Sequence, residues 1–407
     1  MERADRDGTS AGTAAVPAEA RGRLHAALAA GARGRLHAAL AAGARGRLHA
    51  ALAAGARGRL HAAFAAGARG RLHAAFAAEA RGRLHAAFAA EARGRLHAAF
   101  AAEARGRVQA AFAVLTAGLL LFHRAVPNSV GRLGSLLEAF LPWLGLVIPV
   151  LLVLGLVRRS ATALVALLLP VAAWTHLFGG LLLPAGRPGP HDLLVVQHNV
   201  SDTNTDPAGT ARALAGAGAD LVALEELVPP ARSVYERTLA PDYPYHAVRG
   251  TVGLWSKHPI GEVRALDIRP RGIAGAWSRG LRAVVRTPHG EIAAYVAHLP
   301  SVRMRASGFA SSLRDESAGL LGEAVAAEEL RTVILMGDLN GSAHDRGLAP
   351  LTSRMNVAER GFALSFPAAF PLARIDQVMA RSATVADLRT LPATGSDHLP
   401  VAARITL

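Results

Sequence analysis

Gly395-Ser396-Asp397-His398-Leu399-Pro400, followed by the apolar run Val401 to Leu407, decides how this chain is read. Gly395 and Ser396 permit a tight turn, and the run after Pro400 has the composition of a final strand. Asp397 offers oxygens to a cation and His398 can move a proton. An Asp-His pair in a loop is ordinary polar surface when it stands alone. Four upstream stretches supply what it lacks: Gln197-His198-Asn199, Leu224-Glu225-Glu226, Gly337-Asp338-Leu339-Asn340 and Ile375-Asp376-Gln377.

Each of these stretches closes or flanks an apolar run. Asp192 to Asn199 reads as a buried strand whose C-terminal end carries Asn199, and Asp220 to Glu225 as a second with Glu226 just past its end. Thr210 to Ala217 between them reads as a short helix. Gly253 to Trp255, Arg282 to Arg286 and Ile292 to Ala297 read as further strands, the last delivering His298. Ser317 to Leu330 has the pattern of an amphipathic helix. Thr332 to Met336 leads as a strand into Asp338 and Asn340, and Arg374 to Met379 carries Asp376. An Asn and a Glu at neighbouring strand ends make an oxygen site suited to a hard cation such as Mg²⁺. Polar residues at one rim of a rigid scaffold would converge on one cleft.

Taken together, QHNV, DLVALEE, the His of AHLP, GDLN, IDQV and GSDHLPV resemble, in order, the endonuclease/exonuclease/phosphatase superfamily over about residues 191–407. The resemblance implies an α/β fold, a four-layer sandwich of two mainly β sheets with flanking helices (DNase I-like). It implies a metal-dependent hydrolase of phosphoester bonds, with Mg²⁺ or Mn²⁺ held by Asn199, Glu226 and Asp397. It assigns Asp338 to orient or deprotonate the attacking water and Asn340 to donate a hydrogen bond to the phosphate. His398, oriented by Asp376, would act on the nucleophile or bind the phosphate. His298 would bind the phosphate or protonate the leaving oxygen. Glu225 departs from the pattern, where the family usually has Gln, and is expected to add negative charge near the metal.

The remainder of the 407 residues is of another kind. The chain is 51% hydrophobic, lacks cysteine and carries a net charge of +15. Without cysteine there is no disulfide, thiolate metal site or cysteine nucleophile. Residues 20–107 hold 16 Arg against 3 Glu, whereas residues 191–407 hold 22 Arg plus Lys against 22 Asp plus Glu. The catalytic part therefore lacks the overall positive field of a non-specific nucleic-acid binder, and a nuclease would need a local basic groove.

After a start (1–19) expected to be disordered, residues 20–107 repeat Ala-Arg-Gly-Arg-Leu-His-Ala-Ala-Leu/Phe-Ala-Ala-Gly/Glu every 12 residues. That period is about 3.33 helical turns, so successive apolar pairs rotate by about 120° and sustain no coiled-coil seam. The repeat histidines fall on different faces for the same reason and do not gather a metal. From Glu79 a Gly in each unit becomes Glu, which favours helix. An Arg-rich tail of this kind is expected on anionic lipid.

Residues 108–184 predict three membrane spans: Val108 to Phe122, Glu138 to Val157 and Ala161 to Leu183. Arg158 and Arg159 between the last two, and the Arg-rich repeats before the first, are expected in the cytoplasm. Three crossings place the domain from residue 191, after a Pro/Gly-rich linker at 185–190, outside it. Three spans before a compact domain also resemble, by architecture, the VanJ-like actinomycete membrane proteins, which would imply a lipid-pyrophosphate substrate. The expected partners are the bilayer and a phosphorylated, lipid-linked substrate, with nucleic acid less favoured. An inactive membrane scaffold is the third reading, and the intact set of acidic and histidine residues argues against it.

Overall fold

Strands that read as unbroken apolar runs need cover on both faces, and the fold supplies it. The computed structural model describes residues 69–183 and 191–407. The early repeats and the linker lie outside these residues. By contacts the chain divides into two units, residues 1–100 and 101–407.

Helix α1 (Arg69–Leu121) carries the last repeats and the first apolar segment; in the second unit it is followed by the apolar helices α2 (Leu133–Ala139), α3 (Val147–Val157), α4 (Ala161–Ala166) and α5 (Leu168–Leu182). Within the repeats, Glu79 and Glu91 pair with Arg83 and Arg95 at 2.7 and 2.9 Å, one turn on. This is the local support expected where Glu replaces Gly.

Three straight spans do not appear among the described residues. Among the described residues one helical stretch, Ala161–Leu182, is long and apolar enough to cross a membrane. The expected second span, Glu138 to Val157, starts at a 71° bend between Leu133–Ala139 and Leu141–Val157. The bend falls where a 3₁₀ turn, Leu141–Leu146, opens with Pro142, which lacks the N–H that a continuous helix requires. The apolar part of α1, Gly106–Leu121, is shorter than the ~20 residues a span needs.

The domain from residue 191 comprises β1 (Leu193–Asn199), α6 (Pro207–Gly216), β2 (Leu221–Glu225), α7 (Ala231–Leu239), β3 (Tyr245–Arg249), β4 (Val252–Ser256), β5 (Ile260–Ala265), β6 (Gly280–Thr287) and β7 (Gly290–Ala297). It continues through β8 (Met304–Arg305), β9 (Gly308–Phe309), α8 (Ser312–Ala326), β10 (Val333–Asp338), α9 (Ala349–Thr352), β11 (Asn356–Val357), β12 (Asp376–Arg381), β13 (Thr384–Thr390) and β14 (Val401–Thr406). One sheet has the order β13-β14-β1-β2-β4-β3 and the other β11-β12-β10-β7-β6-β5.

Period-two alternation sorts the side chains into layers. Val195, Leu221, Leu254, Val296, Met336 and Ile405 meet between the sheets. Their neighbours Val196, Val222 and Leu224 face outward onto Leu214 of α6 and Tyr235 of α7. On the other side Tyr295 and Leu335 pack on Leu321 and Val325 of α8. The result is helix, sheet, sheet, helix: the four-layer DNase I-like sandwich. Helix α8 begins five residues before the Ser317 read from sequence, and α7 was not read at all.

The apolar helices are bonded to this domain. Glu138, fully buried, accepts from Arg346 Nε and Nη2 at 2.9 Å and lies 3.0 Å from His123 Nδ1. Arg132 pairs with Asp315, and Trp143 Nε1 donates to the Leu372 carbonyl at 2.8 Å. A cavity of about 500 Å³ opens between the helices and the domain, lined by Trp143, Ile148, Val171, Trp174, Phe362 and Leu364 among others.

Candidate active site

Register brings the candidate residues to one rim. β1 and β2 run parallel, with Asn199 beside Glu225. β10 and β12 run antiparallel, with Asp338 opposite Asp376. β10 also runs parallel to β7, whose end at Ala297 delivers His298. The two strands approach so closely that a Cβ on Gly337 would run into the Ala297 carbonyl, which explains the glycine before Asp338. Ser396 Oγ donates to the Asn199 carbonyl at 2.7 Å and accepts from His398 N at 3.0 Å. The turn is thereby tied to the end of β1, and His398 enters the same cleft.

Asp338 Oδ2 is the centre. Asn199 Nδ2 donates to it at 3.1 Å, and His298 Nε2 and His398 Nε2 lie 3.7 and 3.8 Å away. Its other oxygen accepts the Asn340 backbone N–H at 3.0 Å. Glu226 Oε1 lies 3.2 Å from the same Asn199 Nδ2 and 3.9 Å from His298. Asn340 Nδ2 donates to the Leu299 carbonyl at 3.0 Å. Glu226 and Asn340 both have left-handed backbones, φ 63° and 48°. Asn tolerates that region; for Glu it is a strain of order 1–3 kcal/mol, of the kind found at functional sites.

Beneath lies a second layer. His398 Nδ1 donates to Asp376 Oδ2 at 2.8 Å, and Ser365 Oγ donates to the same oxygen at 2.5 Å. Gln197 Nε2 reaches Asp376 Oδ1 at 3.0 Å and Glu225 Oε2 at 2.8 Å. The Phe366 ring lies 4.8 Å from the imidazole of His398. Ser365, Ser396, Gln197 and Phe366 hold the site, and sequence alone did not mark them as doing so.

The charges follow from this packing. Burial opposes a charged His398, but the Asp376 carboxylate, with help from Asp338 and Asp397, lifts its pKa to about 10. Asp376 is held below its ordinary value: burial acts against this, and His398, Ser365 and Gln197 outweigh it. Burial, then repulsion from Asp376, pushes Asp338 up to about 7. Burial, then Arg279, pushes His298 down to about 3. The rim thus holds a cationic His398, a neutral His298 and a carboxylate poised near neutrality.

Glu225 is not a metal-facing charge. It is fully buried against Gln197, and burial, then the charge of Asp376, raises its pKa well above the carboxylate range. Both forces favour the neutral form, which has nearly the shape of the Gln usual in the family at this position.

The structure gathers Asn199, Glu226, His298, Asp338, Asp376 and His398, and sets Asn340 beside Asp338. Asp338, Asp376 and His398 each offer a ligand atom within 4.8 Å of the others. Asp397 is exposed, and its backbone carbonyl accepts from Ala368 N at 2.7 Å. Asn199 Oδ1 accepts from Ser201 N at 3.0 Å, which turns its NH₂ toward the carboxylates. Glu226 and Asp338 converge with no Arg or Lys ion-paired to either among the described residues. Two hard carboxylates facing across a neutral amide are a donor set that fits a divalent cation such as Mg²⁺.

Residues 196–398 match the model of the Endonuclease/Exonuclease/phosphatase family. Through this domain the chain belongs to that family, and the protein is a hydrolase acting on phosphoester bonds. Similar solved structures include a magnesium-bound beta toxin variant from Staphylococcus aureus (15% identity, TM-score 0.41, covering 52% of this chain and 99% of that one). A mannosyl-6-phosphatase from Bacteroides thetaiotaomicron is similar at 16% identity and TM-score 0.42, over 53% of this chain and all of the other. Sphingomyelinase C from Streptomyces griseocarneus is similar at 20% identity and TM-score 0.40, over 53% and 99%. No curated protein matches the chain.

Proposed function

We propose that this protein is a membrane-anchored, divalent-metal-dependent phosphoesterase whose catalytic domain works outside the cytoplasm on the phosphate or pyrophosphate bond of a lipid-linked substrate. The observation that carries the catalytic part is the convergence on one Asp338 oxygen of Asn199 Nδ2 at 3.1 Å and of the His298 and His398 Nε2 atoms at 3.7 and 3.8 Å.

Asp338 takes the proton of the attacking water, the task for which a pKa near 7 is best placed. His398, kept charged by Asp376, sits 3.8 Å from Asp338 and stabilises the negative charge that gathers on the phosphoryl oxygens. His298, neutral, offers a hydrogen bond to the phosphate or to the leaving oxygen. Glu226 would hold the metal, joined by Asn199 once its amide oxygen is turned to the cation and by Asp397 from the exposed side of the rim, which leaves Asp338 free for the water. The bound metal supplies charge neutralisation at the phosphoryl and leaving oxygens.

The lipid part is supported by the helices and the apolar cavity beside them. Phe362 and Leu364 line that cavity. The next residues, Ser365 and Phe366, contact Asp376 and His398. A hydrocarbon tail in the cavity would therefore lie a few residues of chain from the reacting centre. A nuclease is the second reading, favoured by the arginines around Arg279 described below.

Full-length protein in detergent, stripped with chelator and reloaded with Mg²⁺ or Mn²⁺, tests the proposal, with Asp338→Ala as control. Metal-dependent phosphate release from a polyprenyl diphosphate without nicking of plasmid DNA supports it. Nicking alone replaces it with the nuclease, and neither activity from folded protein favours the scaffold.

A further inference from the structure

A pocket of about 310 Å³ adjoins the catalytic centre on the His298 side, and three arginines line it: Arg279, Arg303 and Arg305. Arg279 links the two sites. Its carbonyl accepts from His298 N at 2.9 Å, and its Nη1 lies 3.3 Å from His298 Nδ1. The guanidinium carbon stands 5.5 Å from the Trp277 ring centroid, a cation–π contact that steadies the group and leaves N–H donors for a ligand. The wall of the pocket resumes at Pro300 and Ser301, two and three residues past His298, and Arg303 and Arg305 follow. Arg305 lies on β8, whose partner β9 is fixed to the apolar helices by Phe309 N donating to the Gly131 carbonyl at 2.9 Å.

Arginine elsewhere in this domain is commonly tied to carboxylates. Arg282 is held by Glu328, Arg286 by Glu291, Arg314 by Asp345 and Arg404 by Asp387. For the three pocket arginines no carboxylate partner occurs among the described residues. Solvated arginines on loops are common. Three of them around one concavity, one touching a catalytic histidine, form a cationic site whose counter-charge comes from outside the chain.

We propose that this pocket is a second anion subsite, which takes the phosphate next to the scissile one in a diphosphate ester. The inference rests on the phosphoesterase reading of the adjoining centre. A diphosphate fits better than a nucleic-acid strand on two grounds. The arginines ring a compact pocket rather than a track along successive phosphates. Arg279 also spans from the pocket to His298 by itself, so the second anion is attached directly to the first. The double charge of the substrate is then met on both sides, by the metal-binding rim and by the guanidinium groups.

The test compares wild type with Arg303→Ala/Arg305→Ala, both as full-length chains in detergent. Arg354→Ala/Arg389→Ala removes the same charge from exposed positions outside the pocket and serves as control. One arm measures kcat/KM for farnesyl diphosphate and farnesyl monophosphate. The other measures binding of inorganic pyrophosphate and orthophosphate by calorimetry. The diphosphate-to-monophosphate ratio is expected to fall about 10- to 100-fold in the pocket variant, the loss typical of charge-assisted hydrogen bonds, and to stay unchanged in the control. The pyrophosphate advantage in binding should fall alongside it. An unchanged ratio, or an equal fall in the control, overturns the subsite. If neither ester is hydrolysed while the variant still loses its pyrophosphate advantage, the lipid-linked substrate fails and the subsite stands. A single-stranded oligonucleotide whose binding depends on Arg303 and Arg305 more than pyrophosphate binding does would assign the pocket to nucleic acid and overturn the proposal.

Discussion

His298 and His398 stand on two sides of one carboxylate, 3.7 and 3.8 Å from the same Asp338 oxygen, and both are buried. One has its pKa driven down to about 3 and the other up to about 10. Burial pushes both rings toward neutrality, so it does not separate them. The neighbours do: His298 faces the Arg279 guanidinium, and His398 faces the Asp376 carboxylate. Two identical side chains at one rim thereby become a neutral hydrogen-bonding group and a fixed cation. The assignment of roles lies in the layer behind the catalytic residues as much as in the residues themselves.

The comparison breaks most completely if the carboxylate between the rings is lost. Asp338→Asn should lower kcat by about 10³-fold with the fold intact, within the range for a missing general base; steady-state kinetics beside a circular-dichroism melt would check this. Asp376→Asn removes the charge that holds His398 protonated. The imidazole should then titrate far below 10, followed by its NMR resonances, with kcat down about 10²-fold.

The same pair has a signature in stability. A histidine whose folded pKa is raised adds stability that is complete below its ordinary value of 6.5 and disappears as pH rises through about 10. In chelator, the difference in melting temperature between wild type and His398→Phe should therefore shrink steadily from pH 6.5 to 10. A difference that grows over that range would contradict the ion pair.

Smaller effects sharpen the other side. Arg279→Met should let the His298 pKa rise yet leave it below 6.5, because burial remains the larger cause. Glu225→Gln should change stability by no more than about 0.5 kcal/mol, measured by denaturant titration. A large change would mean that Glu225 is ionised in the folded protein.

Much of the rim was legible because its residues close apolar strands. Asn199, Glu225 and Asp338 end β1, β2 and β10, within a residue or two of where the runs become polar. Helix α7 escaped because Arg232, Glu236 and Arg237 leave few apolar positions, and it is fixed by the burial of Tyr235 and Leu239, which sequence does not announce. The bend between Ala139 and Leu141 escaped for the opposite reason: the residues after it are apolar without interruption, and only backbone geometry separates a span from a corner. The supporting contacts were invisible in principle. Ser365 is 11 residues from the Asp376 it holds, and Ser396 is 197 from Asn199. No local pattern carries such separations.

The bonds between Glu138 and Arg346 reach further than the junction they close. Arg346 follows Asp345, which receives Arg314 Nη2 at 2.6 Å, and the other arm of Arg314 donates to the Asn340 carbonyl at 2.9 Å. From the apolar helices to the loop after Asp338, each step is a charged group with a named partner. The loop that carries Asp338 is therefore braced on the apolar helices by side-chain bonds, so its position depends on residues far from the rim.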